Sequence, residues 1–222
     1  MGTKRDTLKK LSEYADRVSQ YTKDQESKKI NEENTIAKFI SELLRILEWE
    51  LLSPDVDYQH TIREVGRADI TLKIKNVAVV IIEAKRFNED LSDQHMKQAM
   101  KYKTRARWVI ITNGRDIKIY DKRYRSTWGK LFMKFPLERF REKHFKEEYF
   151  NALWLLSRNQ ISKLNAVANQ IWKWEKLIRE KIKIMKNIVV KEFLVSTLKE
   201  IKEEGAKPRL IEQAIKEVRK RK

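Results

Sequence analysis

The chain has no cysteine among its 222 residues. That absence excludes disulfides, thiol catalysis and thiolate zinc sites together. Glycine and proline are also scarce, at 5 and 3 residues. With the Lys/Glu/Ile-rich habit of the chain, this scarcity matches a thermophilic source. The histidines His60, His95 and His144 are scattered, and none has a partner at metal-ligand spacing. No apolar run is long enough to span a bilayer, and no lipidation signal is present. The N-terminus lacks a secretory apolar region, so the expected location is the cytoplasm, or the host cell interior if the source is viral. Negative charge is in deficit: 32 acidic residues face 50 Lys and Arg, giving +18 and a pI near 9.9. Such a field attracts polyanions and makes their binding depend steeply on salt. A polyanionic partner and a merely solubilising surface both fit this charge, and an anionic membrane fits it less well.

What is present concentrates between Gly66 and Lys85. Residues 67–75 alternate apolar and polar, the pattern of a half-buried strand. Residues 77–82, Val-Ala-Val-Val-Ile-Ile, form the continuous apolar run of a fully buried one. Asn76 falls between them where a hairpin turn belongs. Side chains two apart share a strand face, so Glu83 and Lys85 project together at the strand end. The hairpin partner brings Asp69 beside them. Two carboxylates and an ammonium on one small surface repay their desolvation when something binds there. Mg²⁺ takes oxygen ligands, commonly one or two carboxylates plus a substrate phosphate. Asp69 and Glu83 are the candidate carboxylates, with the Ala84 backbone carbonyl a further ligand. Lys85 is placed to orient an attacking water or offset charge on a phosphate. Hard oxygen donors suit Mn²⁺ as well.

Residues 91–103 read as a helix with Ser92 or Asp93 as N-cap. Gln98 and Tyr102, four apart, share one of its faces. A buried strand, Trp108 to Thr112, then leads through Asn113-Gly114 to a further strand at 116–120. The ordered set Gly-Arg-Ala-Asp69, Ile-Glu83-Ala-Lys85, Gln98-x-x-x-Tyr102 and Ile-Thr-Asn-Gly114 resembles the PD-(D/E)XK nuclease superfamily. It is most similar to the N-terminal nuclease region of type I restriction enzyme motor subunits. The resemblance covers roughly residues 28–122, with Ala68 standing where the superfamily's name has proline.

The resemblance implies an α/β fold, a restriction-endonuclease-like mixed sheet flanked by helices, and a Mg²⁺-dependent endonuclease acting on DNA. The segment from Asn31 into Leu43–Trp49 resembles the family's opening helix, which brings a further acidic residue to the site. Glu33 is matched to it, with Glu32 as its open alternative. Gln98 and Tyr102 are matched to a role at DNA phosphate or beside the lysine. Arg63 and Arg67, flanking Asp69, are candidate phosphate contacts. The chain lacks a Gly-x-x-x-x-Gly-Lys-Ser/Thr loop, so a complete restriction motor subunit is not expected. Free-standing relatives include archaeal Holliday-junction resolvases and small nucleases of archaeal viruses, similar in size and charge. A structure-specific, resolvase-like homodimer is therefore expected, since two related sites suit cutting two strands. The alternatives are a restriction or repair module whose protein partner supplies motor or specificity, and a silent DNA-binding protein of the same fold.

Around this core the patterns are helical. Leu8, Leu11, Ala15 and Val18 fall at helical spacing, as do Ile36, Phe39, Ile40, Leu43, Leu44 and Leu47. Ser53-Pro54-Asp55 is expected to end the second helix, because proline cannot continue it. The expected order is α-α-β-β-β-α-β-β, opening its sheet with a strand at about 56–64 and adding a short strand at 128–135. Residues 1–137 form the expected nuclease core. Residues 138–222 form a more densely basic helical extension for DNA contact or dimerisation. Within it a long amphipathic helix runs from Ile161 to about Val189, and a short basic helix follows at 209–222.

Overall fold

The hairpin at the centre of the chain forms as its pattern dictates. In a computed structural model, which describes residues 3–23, 29–62, 66–102, 104–123, 130–137 and 153–184, strand β2 spans Gly66–Ile74 and β3 spans Val77–Ala84. Lys75 and Asn76 join them, both with positive φ (50° and 62°). Two successive positive φ values define the two-residue turn whose twist matches that of paired strands. The antiparallel register runs Ile74 with Val77 and Ile70 with Ile82, with an irregularity between Leu72 and Lys73.

A single mixed sheet of six strands, in the order β1 to β6, grows from this hairpin. β1 (Val56–Ile62) pairs antiparallel with β2. β4 (Trp108–Thr112) runs parallel to β3, and β5 (Asp116–Asp121) and β6 (Lys130–Pro136) extend the sheet antiparallel. The parallel step requires a crossover, and helix α4 (Asp93–Met100) supplies it. Ser92 caps α4, and the helix ends at Met100, not at residue 103.

Helix α1 (Lys4–Thr22) starts at Thr3, whose hydroxyl accepts from the Asp6 amide while the Asp6 carboxylate accepts from the Thr3 amide. The second helical region is continuous but changes its winding: α2 (Glu32–Thr35), a π-helical turn (Ile36–Ile40) and α3 (Ser41–Ile46). It ends well before Pro54, which corrects the boundary expected from proline. The Glu48 and Trp49 amides donate to the Arg45 and Leu44 carbonyls with Glu48 at φ 63°, a Schellman ending built without glycine. The reason is Trp49: its indole is buried and donates to the Leu156 carbonyl at 3.0 Å, which draws the chain out of the helix.

Both faces of the sheet are covered, which explains the unbroken apolar runs of β3 and β4. Leu72, Val80, Ile82, Ile110 and Ile117 meet Ile40, Leu43, Leu44 and Trp49 on one side. Ile81, Val109, Ile111 and Tyr120 meet Met96, Ala99 and Tyr102 on the other.

The chain divides into two compact units, Met1–Ile161 and Ser162–Lys222. The boundary expected at 137/138 falls inside the first. The expected long helix is α5 (Ile161–Ile184), with Leu164, Ala168, Ile171, Trp174 and Ile178 buried at steps of three and four. The expected helix at 209–222 and the continuation beyond Ile184 lie outside the described residues. No helix among the described residues is long and apolar enough to cross a membrane.

Candidate functional site

The site forms at the ends of β2 and β3, beside the parallel junction with β4. The pairing of Ile70 with Ile82, continued one step, sets Asp69 opposite Glu83 on one face of the sheet. Asp69 Oδ2 accepts from the Ala84 amide at 2.7 Å, which fixes the carboxylate across the strand pair. Glu83 is 3% exposed, and each of its oxygens accepts one hydrogen bond. Lys85 Nζ donates to Oε1 at 2.9 Å, and the Tyr102 hydroxyl donates to Oε2 at 2.8 Å. The Arg67 carbonyl lies 2.9 Å from the same hydroxyl, so Tyr102 also ties the segment just after α4 to the start of β2. The Gln98 side chain hydrogen-bonds the Tyr102 oxygen from one helical turn earlier, completing a Gln98–Tyr102–Glu83 chain.

Lys85 lies past the end of β3, and its amide donates to the Thr112 carbonyl at 2.9 Å. Its ammonium also reaches Glu32 Oε2 at 3.5 Å. Burial alone pulls that ammonium down, but the Glu83 hydrogen bond and the charges of Glu83, Glu32 and Asp69 outweigh it. Lys85 is therefore held charged. Asp69 responds in the opposite direction. Burial pushes it up to about 6 with the Glu83 and Glu32 charges adding, against the Ala84 amide and Lys85, which pull it down. Burial and the Glu83 charge likewise push the Tyr102 phenol up, so it stays a donor.

Among the described residues no three of His, Cys, Asp and Glu form a ready-made metal cage. The donor set still suits a hard cation that keeps several waters and uses one or two carboxylates. A carboxyl raised by burial beside other carboxylates is one that a bound cation would restore to its charged form. Asp69 and Glu83 would hold it, with Glu32 nearby.

The remaining sequence-derived residues fall as follows. Glu33 is exposed, and its carboxylate accepts from the Asn31 side chain at 3.2 Å, whereas Glu32 is the neighbour that reaches Lys85. Gln98 and Arg67 are exposed beside the cluster, Ala84 is fully buried, and Arg63 lies outside the described residues. His95 accepts from the Ser92 amide through Nδ1 and faces Glu89 with Nε2 at 3.0 Å, which makes it a helix-start residue.

Sequence reasoning missed the support beneath Glu32. Phe39 and Phe87 stack at 4.5 Å, Tyr21 packs on both, and Tyr14 donates to the Phe39 carbonyl. Tyr14 and Tyr21, seven apart on one face of α1, were the available signal.

A mixed sheet with flanking helices, carrying Asp, Glu-x-Lys and Gln-x-x-x-Tyr at one strand junction, is consistent with a restriction-endonuclease-like α/β fold. More particularly, residues 29–128 match the family described as the type I restriction enzyme R protein N terminus. That segment contains Glu32, Glu33, Asp69, Glu83, Lys85, Gln98 and Tyr102. The chain is similar to a chain of a cryo-EM structure of a DrdV–DNA complex, at 16% identity and TM-score 0.43, over 67% of this chain and 96% of that one. It is also similar to the type IIG restriction endonuclease BpuSI, at 18% identity and TM-score 0.36, over 55% of this chain and 15% of that one. None of the curated proteins matches the chain.

Proposed function

We propose that this protein is a restriction-type DNA endonuclease module that hydrolyses phosphodiester bonds with a divalent cation held by Asp69 and Glu83. The observation that carries the reading is the pairing of those carboxylates at one strand junction with the Lys85 ammonium 2.9 Å from Glu83. The charge of +18 supports a polyanionic substrate. The family match over 29–128 supports a restriction-type module.

The oxygen donors favour Mg²⁺, with Mn²⁺ as a substitute, and the Ala84 carbonyl would be the further ligand. Such a cation, when bound, supplies Lewis-acid polarisation of the phosphate and a bound water of lowered pKa. The chain's own residues do the rest. Tyr102 and Gln98 hold Glu83 in one orientation. Lys85 orients the attacking water in line with the leaving oxygen and offsets negative charge developing on the phosphoryl oxygens. Glu32 holds the ammonium from its other side. Arg67 and Gln98, exposed beside the cluster, contact backbone phosphates. Two copies would present two sites to two strands, and sedimentation with and without DNA tests that pairing.

Asp69→Ala and Lys85→Ala should abolish cleavage while folding and DNA binding persist; unchanged cleavage by either variant sinks the assignment. Linear, nicked, flapped and four-way DNAs, each with and without Mg²⁺, define the substrate. Cutting of linear duplex is the expected result. Preference for the four-way junction favours a resolvase-like homodimer instead, and binding without cleavage of any of them favours a silent DNA-binding protein.

A further inference from the structure

Helix α1 precedes the family-matched segment 29–128, yet it touches the elements that carry the site. Tyr14 is 1% exposed, and its hydroxyl donates to the Phe39 carbonyl at 3.0 Å with the Gly114 carbonyl 3.3 Å away. Two turns further along the same face, the Tyr21 ring lies 5.3 Å from Phe39 and meets Phe87 edge-on at 5.5 Å. Phe39 belongs to the π-helical turn that directly follows α2, whose first residue is Glu32. Phe87 follows Lys85 by two residues. Gly114 follows Thr112, whose carbonyl anchors the Lys85 amide at 2.9 Å. The packing there is tight: a Cβ on Gly114 would stand 2.7 Å from Phe39 Cβ.

We infer that Tyr14 and Tyr21 are positioning residues, through which α1 fixes α2 against the end of β3 and keeps Glu32 on Lys85. This inference rests on the nuclease reading above. Helix α2 is the first 4 residues of the continuous helical region and is joined to the rest through the π-helical turn that carries Phe39, so what packs on Phe39 bears on where α2 points. The Glu32–Lys85 separation of 3.5 Å leaves no slack before the contact is lost. Asp69 and Glu83 are held independently by the sheet and by Tyr102. Loosening α1 therefore frees Glu32 and leaves both sheet carboxylates in place. Tyr21 is the better probe, because it is half-buried, with the Lys38 ammonium 5.9 Å from its ring centre, and its removal opens less of the core than removal of Tyr14.

The test uses the full chain with Tyr21→Ala, Tyr21→Phe and Tyr14→Phe, read by steady-state cleavage of the DNA the wild type cuts and by amide hydrogen exchange. Tyr21→Ala should lower kcat on the order of ten-fold, a loss of geometry rather than of chemistry. KM for DNA should stay within about two-fold, since substrate contacts are untouched. Exchange should rise in peptides covering 31–40 and 84–88. Tyr21→Phe should restore both readouts, and Tyr14→Phe should show a smaller loss of kcat. A wild type that cuts DNA beside a Tyr21→Ala variant with unchanged kcat, or with a KM effect alone, overturns this inference only. A wild type without metal-dependent cleavage overturns the nuclease reading and this inference with it.

Discussion

The Tyr102 hydroxyl donates to Glu83 Oε2 across 2.8 Å, while Lys85 takes the other oxygen of the same buried carboxylate. The segment that leaves α4 and the end of β3 thus meet at one side chain. Tyr102→Phe keeps the ring in its cluster and removes only the donor. Leaving a buried charged acceptor one bond short costs roughly 1–3 kcal/mol. Thermal denaturation should show that loss. Cleavage should fall with it, whereas Gln98→Ala, which within the protein removes the bond to the phenolic oxygen, should have the smaller effect on stability.

Asp69 predicts a pH dependence. Burial holds it up to about 6, above the value of about 3.9 for a free carboxyl. A group raised on folding contributes stability that is complete below the unfolded pKa and is lost as pH rises through the folded one. The metal-free protein should therefore lose stability between about pH 4 and pH 6 through this group. Asp69→Asn should stabilise it at pH 7.5 by about 1 kcal/mol, the shift being discounted for partial exposure, and by almost nothing at pH 4. Urea melts in chelator at both pH values check this. Mg²⁺ affinity, read by calorimetry, should weaken about ten-fold per unit below about pH 6, because the proton competes with the cation.

Gly114 has φ +80°, and a Cβ there would meet Phe39 Cβ at 2.7 Å. Gly114→Ala combines left-handed strain with overpacking, about 2–4 kcal/mol in all. Equilibrium denaturation should show that loss, and a fully stable variant would mean that the π-helical turn repacks freely.

Arg107, just before β4, and Asp121, the last residue of β5, form a buried, forked ion pair, with Nη2 to Oδ2 at 2.6 Å and Nε to Oδ2 at 3.0 Å. Asp121→Ala strands a buried guanidinium and should cost about 3–5 kcal/mol. The chain should lose stability without any change in the metal dependence of residual cleavage, since the pair lies away from Asp69 and Glu83.

The sheet core was legible because its signals are local. Alternation in 67–75, the apolar run at 77–82 and the turn at Asn76 each follow from backbone geometry and burial, but the turn sets the register only as far as Lys73 with Ala78, and the irregularity between Leu72 and Lys73, which no local pattern announces, shifts it by one residue and puts Asp69 opposite Glu83. The succession of elements along the chain and a helix within 91–103 were read from the same patterns, whereas the strand order in the sheet and the parallel step that makes this helix a crossover came from the structure. The end of the second helix was not, because a Schellman ending at Glu48 is driven by Trp49 burying its indole against Leu156, a contact 107 residues distant in sequence. Glu32 and Glu33 could not be separated either. Each lies one helical turn from apolar residues, and the π-helical turn that follows them shifts the face the rest of the helix presents.

The sequence alone determined the chemistry available: two carboxylates and a lysine at strand-end spacing, a Gln-x-x-x-Tyr helix face, and a basic field of +18 around them. These follow from side-chain type and from the two- and four-residue periods of strand and helix. Only the tertiary structure decided which carboxylate faces Lys85, that Tyr102 bonds Glu83, and that Tyr14 and Tyr21 of α1 meet Phe39 and Phe87. Those are contacts between segments far apart in the chain, fixed by how buried aromatic rings and unpaired carbonyls find partners, and no local period encodes them.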